Sequence, residues 1–133
     1  MPKTRKVRGL LLSVTFVLLL SLVPTTPVLA GGERRFECTG DNRHGKIRAE
    51  LEIRDDGSRK FEVTGEFARK KRGKAVITAR GSRWIRRVNR DGEFELKRDT
   101  RDGQSVPVRR GTKVTVRRAR HPERSLSCTL MKK

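Results

Sequence analysis

Strict alternation of apolar and polar residues is the feature that most constrains the fold of this chain. Across residues 46–54 every second residue is apolar, from Ile47 to Ile53, while Lys, Arg and Glu occupy the positions between them. Successive side chains of a β-strand point to opposite faces of a sheet, so this pattern predicts a strand with one buried face. Turn-forming residues 55–58 follow, and the alternation resumes over residues 60–68. The two segments are predicted to form a β-hairpin.

Shorter alternating segments recur along the rest of the chain. Turn residues, mainly Gly and Asp, separate them, and no window of the sequence shows the spacing of an amphipathic helix. Eight or nine short strands at intervals of roughly 8–12 residues predict an all-β fold, a single small antiparallel β-sandwich. An immunoglobulin-like arrangement is one architecture compatible with that spacing. The further predicted strands cover residues 34–39, 75–80, 83–89, 93–98, 105–109, 112–118 and 125–131.

Three parts of this pattern carry more specific predictions. Residues 83–89 mix apolar residues and Arg on both faces, which predicts an edge strand or a bulged strand. Pro107 lacks a backbone N–H, so residues 105–109 are predicted to lie at a sheet edge. Residues 69–74 have no apolar partner and residues 121–124 contain Pro, so both are predicted to be turns.

The first thirty residues are predicted to be a secretory signal peptide. Four cations precede an apolar run over residues 10–23, and Val28 and Ala30 supply the small residues of a cleavage site. The run is fourteen residues long, whereas a membrane-spanning helix needs roughly 20. Cleavage after Ala30 would leave residues 31–133 as one secreted or extracytoplasmic domain without a transmembrane segment.

Cys38 and Cys128 are the two cysteines of the chain, and they stand near the two ends of the predicted mature domain. An even pair in an exported protein normally forms a disulfide, and neither cysteine has a C-x-x-C partner that would favour redox chemistry. A bridge between them closes a loop of 90 residues. Such a bridge is expected to stabilise the fold by on the order of 4–5 kcal/mol.

Net charge is the most informative property for function. Residues 31–133 contain 30 Lys and Arg but 15 Asp and Glu, a net charge of +15. The charge is unevenly divided, because residues 31–68 carry −1 and residues 69–133 carry +16. This asymmetry predicts an electropositive face on the later strands, which would attract polyanions through its field and through counterion release. The alternative is that Arg and Lys simply fill solvated strand faces.

Basic residues in short runs within residues 69–120 are the candidate polyanion-binding residues. Among them, residues 116–121 match a short pattern of cations associated with sulfated glycans. The predicted partner is an anionic polymer of the cell envelope or an acidic protein surface. Nucleic acid ranks second, because residues 31–133 offer no Tyr, one Trp and four Phe to stack on bases. The candidates are Arg69, Lys70, Lys71, Arg72, Arg86, Arg87, Arg109, Arg110, Arg117, Arg118 and Arg120.

The sequence predicts binding without catalysis, and no cofactor. It contains no nucleophile elbow, P-loop or dinucleotide fingerprint. One alternative is a structural or assembly domain that pairs with an acidic subunit or with a second copy of itself. A remote alternative is a secreted nuclease that uses His44 and His121, with Lys46, for acid–base chemistry. The two histidines and two cysteines would also make a Cys2His2 zinc set, although their spacing matches no structural zinc module.

Overall fold

A computed structural model describes residues 32–133, which form nine β-strands. The predicted signal peptide lies outside these residues. These residues contain no α-helix, and a single short 3-10 turn, Thr100–Asp102, follows the sixth strand. None of the described residues form a helix long and apolar enough to cross a membrane. The strands are β1 (Arg34–Asn42), β2 (Gly45–Ile53), β3 (Arg59–Phe67), β4 (Gly73–Ala79), β5 (Ser82–Val88), β6 (Glu93–Asp99), β7 (Lys113–Arg118), β8 (His121–Thr129) and β9 (Met131–Lys132).

The strands form two antiparallel sheets. Sheet A has the order β6-β3-β2-β1-β9, and sheet B has the order β5-β4-β7-β8. This arrangement confirms the predicted all-β sandwich and its hairpin of β2 and β3. The first three strands are neighbours in sheet A, whereas the second and third strands of an immunoglobulin domain lie in different sheets. The sandwich is therefore built on a β1–β2–β3 meander.

The core lies between the sheets and consists of the inward positions of the alternating strands. In β2, Ile47, Ala49 and Leu51 are buried, while the charged residues between them point outward. Val114 and Val116 are buried in the same way in β7. A register shift of one residue would turn these apolar side chains to solvent, so burial fixes the pairing of the strands.

One edge of the sandwich is closed where β1 of sheet A meets β8 of sheet B. The predicted disulfide joins Cys38 to Cys128 there, with 5.7 Å between their Cα atoms. Gly40 lies nearby, and a Cβ atom at this position would overlap the carbonyl oxygen of Ser127. The close approach of the two backbones therefore requires glycine. At the end of β8 the chain passes through buried Leu130 into β9, so it moves from sheet B to sheet A.

Residues 105–109 do not form the predicted edge strand. Pro107 removes one ladder donor, and arginine side chains replace a partner strand. Arg59 Nη1 donates to the carbonyl oxygen of Val108 at 2.6 Å, and Arg98 Nη2 donates to the carbonyl oxygen of residue 105 at 3.3 Å. The valines of the segment are nevertheless buried, as their alternation indicated. The segment thus covers the core as an irregular loop.

Residues 121–124 belong to β8 and are not the predicted turn. The turn of the β7–β8 hairpin lies just before them, at residues 119–120. Because β8 is the edge strand of sheet B, the missing N–H of Pro122 is tolerated there. The register of the two strands shifts between Arg117 and Arg118, which marks a bulge at this end of the hairpin.

β5 is an edge strand, as its mixed pattern predicted. Trp84 is half-buried, and its ring centroid lies 5.8 Å from that of Phe61. Ile85, on the opposite face, is 52% exposed. The predicted turn over residues 69–74 is an exposed loop in its first four residues, and its last two residues begin β4.

Candidate anion-binding surface

Within the strands, the excess positive charge belongs to sheet B. Its four strands contain eight Lys and Arg and one acidic residue, Glu123, whereas the five strands of sheet A contain nine basic and nine acidic residues. Strand β6 stands late in the sequence but lies in sheet A, with three acidic and two basic residues. Among the strands, the asymmetry read from the sequence is therefore an asymmetry between the two sheets, and the connecting segments carry the remaining +8 of the excess.

The cations of the two sheets also differ in their partners. On sheet A, Arg48 lies 3.3 Å from a carboxylate oxygen of Glu37 and 3.4 Å from one of Glu50. In sheet B, by contrast, no Lys or Arg lies within 4.0 Å of a carboxylate oxygen of residues 32–133. The eight cations of sheet B are Lys74, Arg83, Arg86, Arg87, Lys113, Arg117, Arg118 and Arg124.

The outer face of sheet B, called the basic face below, combines cations with hydroxyl groups. Strand register places Lys74 opposite Arg87, and Arg117 opposite Val76 and Ser125. Val76 is buried although it lies on this outer face, where its register partners are Ile85 and Arg117. The paired positions contain no carboxylate. They carry Lys74, Thr78, Arg83, Arg87, Lys113, Thr115, Arg117, Ser125, Ser127 and Thr129 around Val76 and Ile85.

A cleft lies at the end of sheet B where β7 turns into β8, and it is called the basic cleft below. Its volume is about 520 Å³, and no Asp or Glu of the described chain lines it. The cleft brings together six of the predicted binding residues, which are Arg69, Lys71, Arg72, Arg87, Arg118 and Arg120. Lys74, His121 and Arg124 also line it, although the sequence did not single out Lys74 or Arg124 for binding.

The remaining candidates lie outside the basic cleft. Lys70 forms an ion pair with Glu66. Arg86 lines an adjoining groove of about 1170 Å³ near β6, which shares Arg72 and Arg87 with the cleft and also contains Glu93 and Glu95. Residues 109–110 lie in the loop before β7, at the opposite end of that strand from the cleft. Arg117 belongs to the basic face.

Arg118 differs from the other Lys and Arg residues of the cleft because it is buried, with only 5% of the residue exposed. Its guanidinium carbon lies 4.6 Å from the ring centroid of Phe67, and Nη2 donates to the carbonyl oxygen of Arg69 at 2.6 Å. Nε is buried and has no hydrogen-bond partner among residues 32–133. Burial, together with the positive charges of Arg124 and Arg69, lowers the pKa of Arg118 below its ordinary value. A buried cation without a counter-charge is unfavourable, so this guanidinium favours a bound anion.

The sequence contained signals for three features that were not predicted, which are the burial of Arg118 and the places of Arg124 and Lys74 in the cleft. The alternation that turns Val114 and Val116 inward also turns Arg118 inward, which indicates burial of a cation. The same alternation in β8 places Arg124 on the side of Leu126, and both inferences agree with the structure. Lys74 gave a weaker signal, because the start of β4 was expected two residues later.

The two cysteines do not form the alternative zinc site, and the two histidines have different neighbours. His121 lines the basic cleft and its Nδ1 lies 3.4 Å from Glu123, whereas His44 Nε2 accepts a hydrogen bond from Arg43 at 3.4 Å. The Cys2His2 zinc hypothesis is wrong, because both cysteine sulfurs are joined in the disulfide. Within the described chain, no group of three or more His, Cys, Asp or Glu side chains is arranged to hold a metal ion.

Comparison with protein-family models, with curated proteins and with solved structures found no match for this chain. Function is therefore inferred from two features of the molecule. The first is the basic face with its uncompensated cations, and the second is the basic cleft around Arg118.

Proposed function

We propose that this chain is a secreted basic β-domain that binds an anionic polymer, without catalysis, through the basic face and the basic cleft. The observation that carries the proposal is that no carboxylate of residues 32–133 lies within 4.0 Å of a sheet B Lys or Arg. Cations without protein counter-charges can neutralise the charges of a polyanion, which then releases its own condensed counterions. Their summed field also attracts the polymer over a distance.

The proposed compartment is extracytoplasmic, with residues 1–30 acting as a cleaved signal peptide. The disulfide between Cys38 and Cys128 supports an oxidising environment. Outside the cytoplasm, the polyanions that such a domain would meet are cell-envelope polymers and acidic protein surfaces. An envelope polymer is therefore the first-ranked ligand.

The aromatic side chains support this ranking over nucleic acid. All four Phe residues within the described chain are buried, so they offer no surface for base stacking. Trp84 packs against Phe61, and the guanidinium carbon of Arg98 lies 5.9 Å from its ring centroid. Single-stranded nucleic acid is usually bound by exposed aromatic rings next to cations. Nucleic acid remains the second-ranked ligand, held by its phosphates alone.

Salt-dependent retention on heparin and phosphocellulose tests the proposal. The variant Arg83→Ser/Lys113→Ser/Arg117→Ser removes three cations of the basic face that lie outside the basic cleft. We expect it to elute at clearly lower salt than the wild type, because a polyanion that meets fewer cations releases fewer counterions when it binds. Anisotropy titrations with single-stranded DNA at several salt concentrations measure the affinity for nucleic acid, the second-ranked ligand.

A matched variant on sheet A separates the basic face from net charge. Arg34→Ser/Lys46→Ser/Lys132→Ser removes the same charge from exposed positions, and none of the three forms an ion pair among the described residues. We expect its elution to stay closer to the wild type. If both triple variants elute at the same salt, binding follows total charge and the assignment to sheet B is wrong.

Carboxylates on sheet A favour a second candidate function, which is self-assembly. Glu37, Glu50 and Glu62 lie directly opposite one another across three strands, and Glu66 lies opposite Glu93. Like charges in such rows repel. Arg48, Lys60 and Lys70 already pair with members of these rows, and the basic face of a second copy would add further counter-charge. Sedimentation at low and high salt without polyanion tests this candidate. Assembly that dissociates as salt rises supports it, and a monomer at low salt excludes it.

A further inference from the structure

Arg118 is positioned by the fold and not by a counter-charge. It is the last residue of β7, and its register partner on β4 is Ala75. The ring of Phe67 lies against its guanidinium, and its one side-chain hydrogen bond among residues 32–133 goes to the carbonyl oxygen of Arg69. A guanidinium has five N–H donors, so most of its donors lack a protein partner.

The surroundings of Arg118 in the basic cleft are uniformly positive. The loop of residues 69–72 supplies cations from one side, Lys74 and Arg87 supply them from sheet B, and Arg120 and Arg124 from the β7–β8 hairpin. No Asp or Glu of the described chain lines the cleft, so no carboxylate there offsets the repulsion among these cations. The volume, about 520 Å³, lies within the range of roughly 300–1,000 Å³ that is common for small-ligand sites.

We propose that the basic cleft is a discrete binding site for one multiply charged tetrahedral oxyanion, a phosphate or sulfate group, with Arg118 at its base. Guanidinium groups suit such oxyanions because two parallel N–H groups can donate to two oxygens. More than one negative charge is favoured, since seven other Lys and Arg line the same cleft. The buried Nε has no hydrogen-bond partner among residues 32–133, and no carboxylate of the described chain lines the cleft beside Arg118.

The oxyanion site connects to the basic face. Lys74 and Arg87 line the cleft and also lie on the outer face of sheet B, where they are register partners. A terminal phosphate or sulfate group can thus occupy the cleft while the attached polymer follows the face. This connection rests on the proposed function, whereas binding of the oxyanion itself does not.

Calorimetric titration of the purified protein with inorganic phosphate, pyrophosphate and sulfate, at constant ionic strength, tests the site. We expect saturable binding of pyrophosphate to one site and a rise in Tm of roughly 5 °C or more near saturation. Tighter binding of phosphate than sulfate assigns a phosphate group to the site, and the reverse order assigns a sulfate group. Absence of saturable binding of all three anions overturns the proposal.

Variants locate the binding in the cleft. Arg118→Met should weaken pyrophosphate binding at least tenfold, and Lys71→Ser/Arg120→Ser, at two exposed positions of the cleft, should weaken it several-fold. The basic-face variant Arg83→Ser should stay within about twofold of the wild type. If Arg118→Met lowers Tm but leaves the affinity unchanged, Arg118 only ties the loop through the Arg69 carbonyl and the proposal is wrong. If Arg118→Met does not fold, unchanged affinity of Lys71→Ser/Arg120→Ser for pyrophosphate overturns the proposal instead.

The results also distinguish this site from polymer binding. Pyrophosphate binding together with unchanged heparin retention in the basic-face triple variant would overturn the proposed function and leave the oxyanion site standing. Heparin retention that depends on the basic face, without pyrophosphate binding, would overturn the oxyanion site alone.

Discussion

Arg54 and Asp99 form an ion pair with two hydrogen bonds, from Nη1 to Oδ1 at 3.0 Å and from Nη2 to Oδ2 at 2.8 Å. Arg54 directly follows β2 and Asp99 ends β6, while β3 lies between these strands in sheet A. Asp99 also accepts a hydrogen bond from the backbone N–H of Arg101 at 2.9 Å. The pair therefore connects three strands at one end of the sheet.

The Asp99 contacts predict a dependence of stability on acid. Arg54, through its hydrogen bonds, holds the pKa of Asp99 well below its usual value. A carboxyl group whose pKa is lowered by folding stabilises the native state above its ordinary pKa of about 3.9, and this contribution is lost as pH falls through the native value. We expect Tm to fall below pH 4. Asp99→Asn should lower Tm at neutral pH and flatten this fall, as measured by circular dichroism melts across pH.

A control comes from the neighbouring turn. Asp55→Asn removes an exposed carboxylate that forms no ion pair among the described residues. We expect little change in Tm or in its acid dependence. An acid dependence of Asp99→Asn equal to that of the wild type would contradict the role of the Arg54 pair.

The disulfide predicts a large loss of stability on its removal. Cys38 and Cys128 are 90 residues apart in sequence, so their bond strongly restricts the unfolded chain. Cys38→Ser/Cys128→Ser should lower the free energy of unfolding by on the order of 4–5 kcal/mol. Urea denaturation measures this change. A reductant should destabilise the wild type and leave the double variant unaffected, and a loss under about 1 kcal/mol would show that the β1–β8 edge is held mainly by packing.

The close approach at Gly40 predicts that even a methyl group destabilises the fold. A Cβ atom there would overlap the Ser127 carbonyl oxygen, and relief requires movement of the backbone of β1 or β8. Gly40→Ala should therefore lower the free energy of unfolding by about 1–3 kcal/mol. Thr39→Ala, on the exposed face of the same strand, should change it by less than about 0.5 kcal/mol. Equal effects of the two substitutions in denaturant titrations would argue against the contact.

Arg59 is predicted to hold the loop of residues 105–109. Its Nη1 donates to the Val108 carbonyl oxygen at 2.6 Å, and a hydrogen bond from a charged donor contributes about 1.5–3 kcal/mol. Arg59→Met should lower stability by about that amount and speed amide exchange in the loop, measured by hydrogen–deuterium exchange. Arg34→Met, at an exposed site in β1, is the matched control. Unchanged exchange in the loop would count against the role of Arg59.

Much of the fold could be predicted because apolar alternation reports directly on a sheet with one buried face. Strands β2 and β3 and their hairpin follow from this pattern alone. The alternation of residues 105–109 correctly indicated that the valines of this segment are buried. It could not show that hydrogen bonds from arginine side chains would take the place of a partner strand. At residues 121–124, Pro suggested a turn, because the sequence does not show that β8 lies at an edge.

The candidate site was less predictable, because it depends on the order of strands in the sheets. The sequence located the excess charge in residues 69–133, but it could not show that β6 lies in sheet A while β4, β5, β7 and β8 form sheet B. The basic cleft combines a loop, two strand ends and a hairpin. Only the inward positions of Arg118 and Arg124 were readable from alternation.

The unequal division of acidic residues between the sheets gives the molecule a preferred orientation. Sheet B strands carry a single acidic residue and sheet A strands carry nine. Near a negatively charged layer, the electrostatic energy is lowest when sheet B faces the layer and sheet A faces solvent. Copies adsorbed in this way would all expose sheet A to solvent. A polymer coated with them would therefore present a surface that carries both carboxylates and cations.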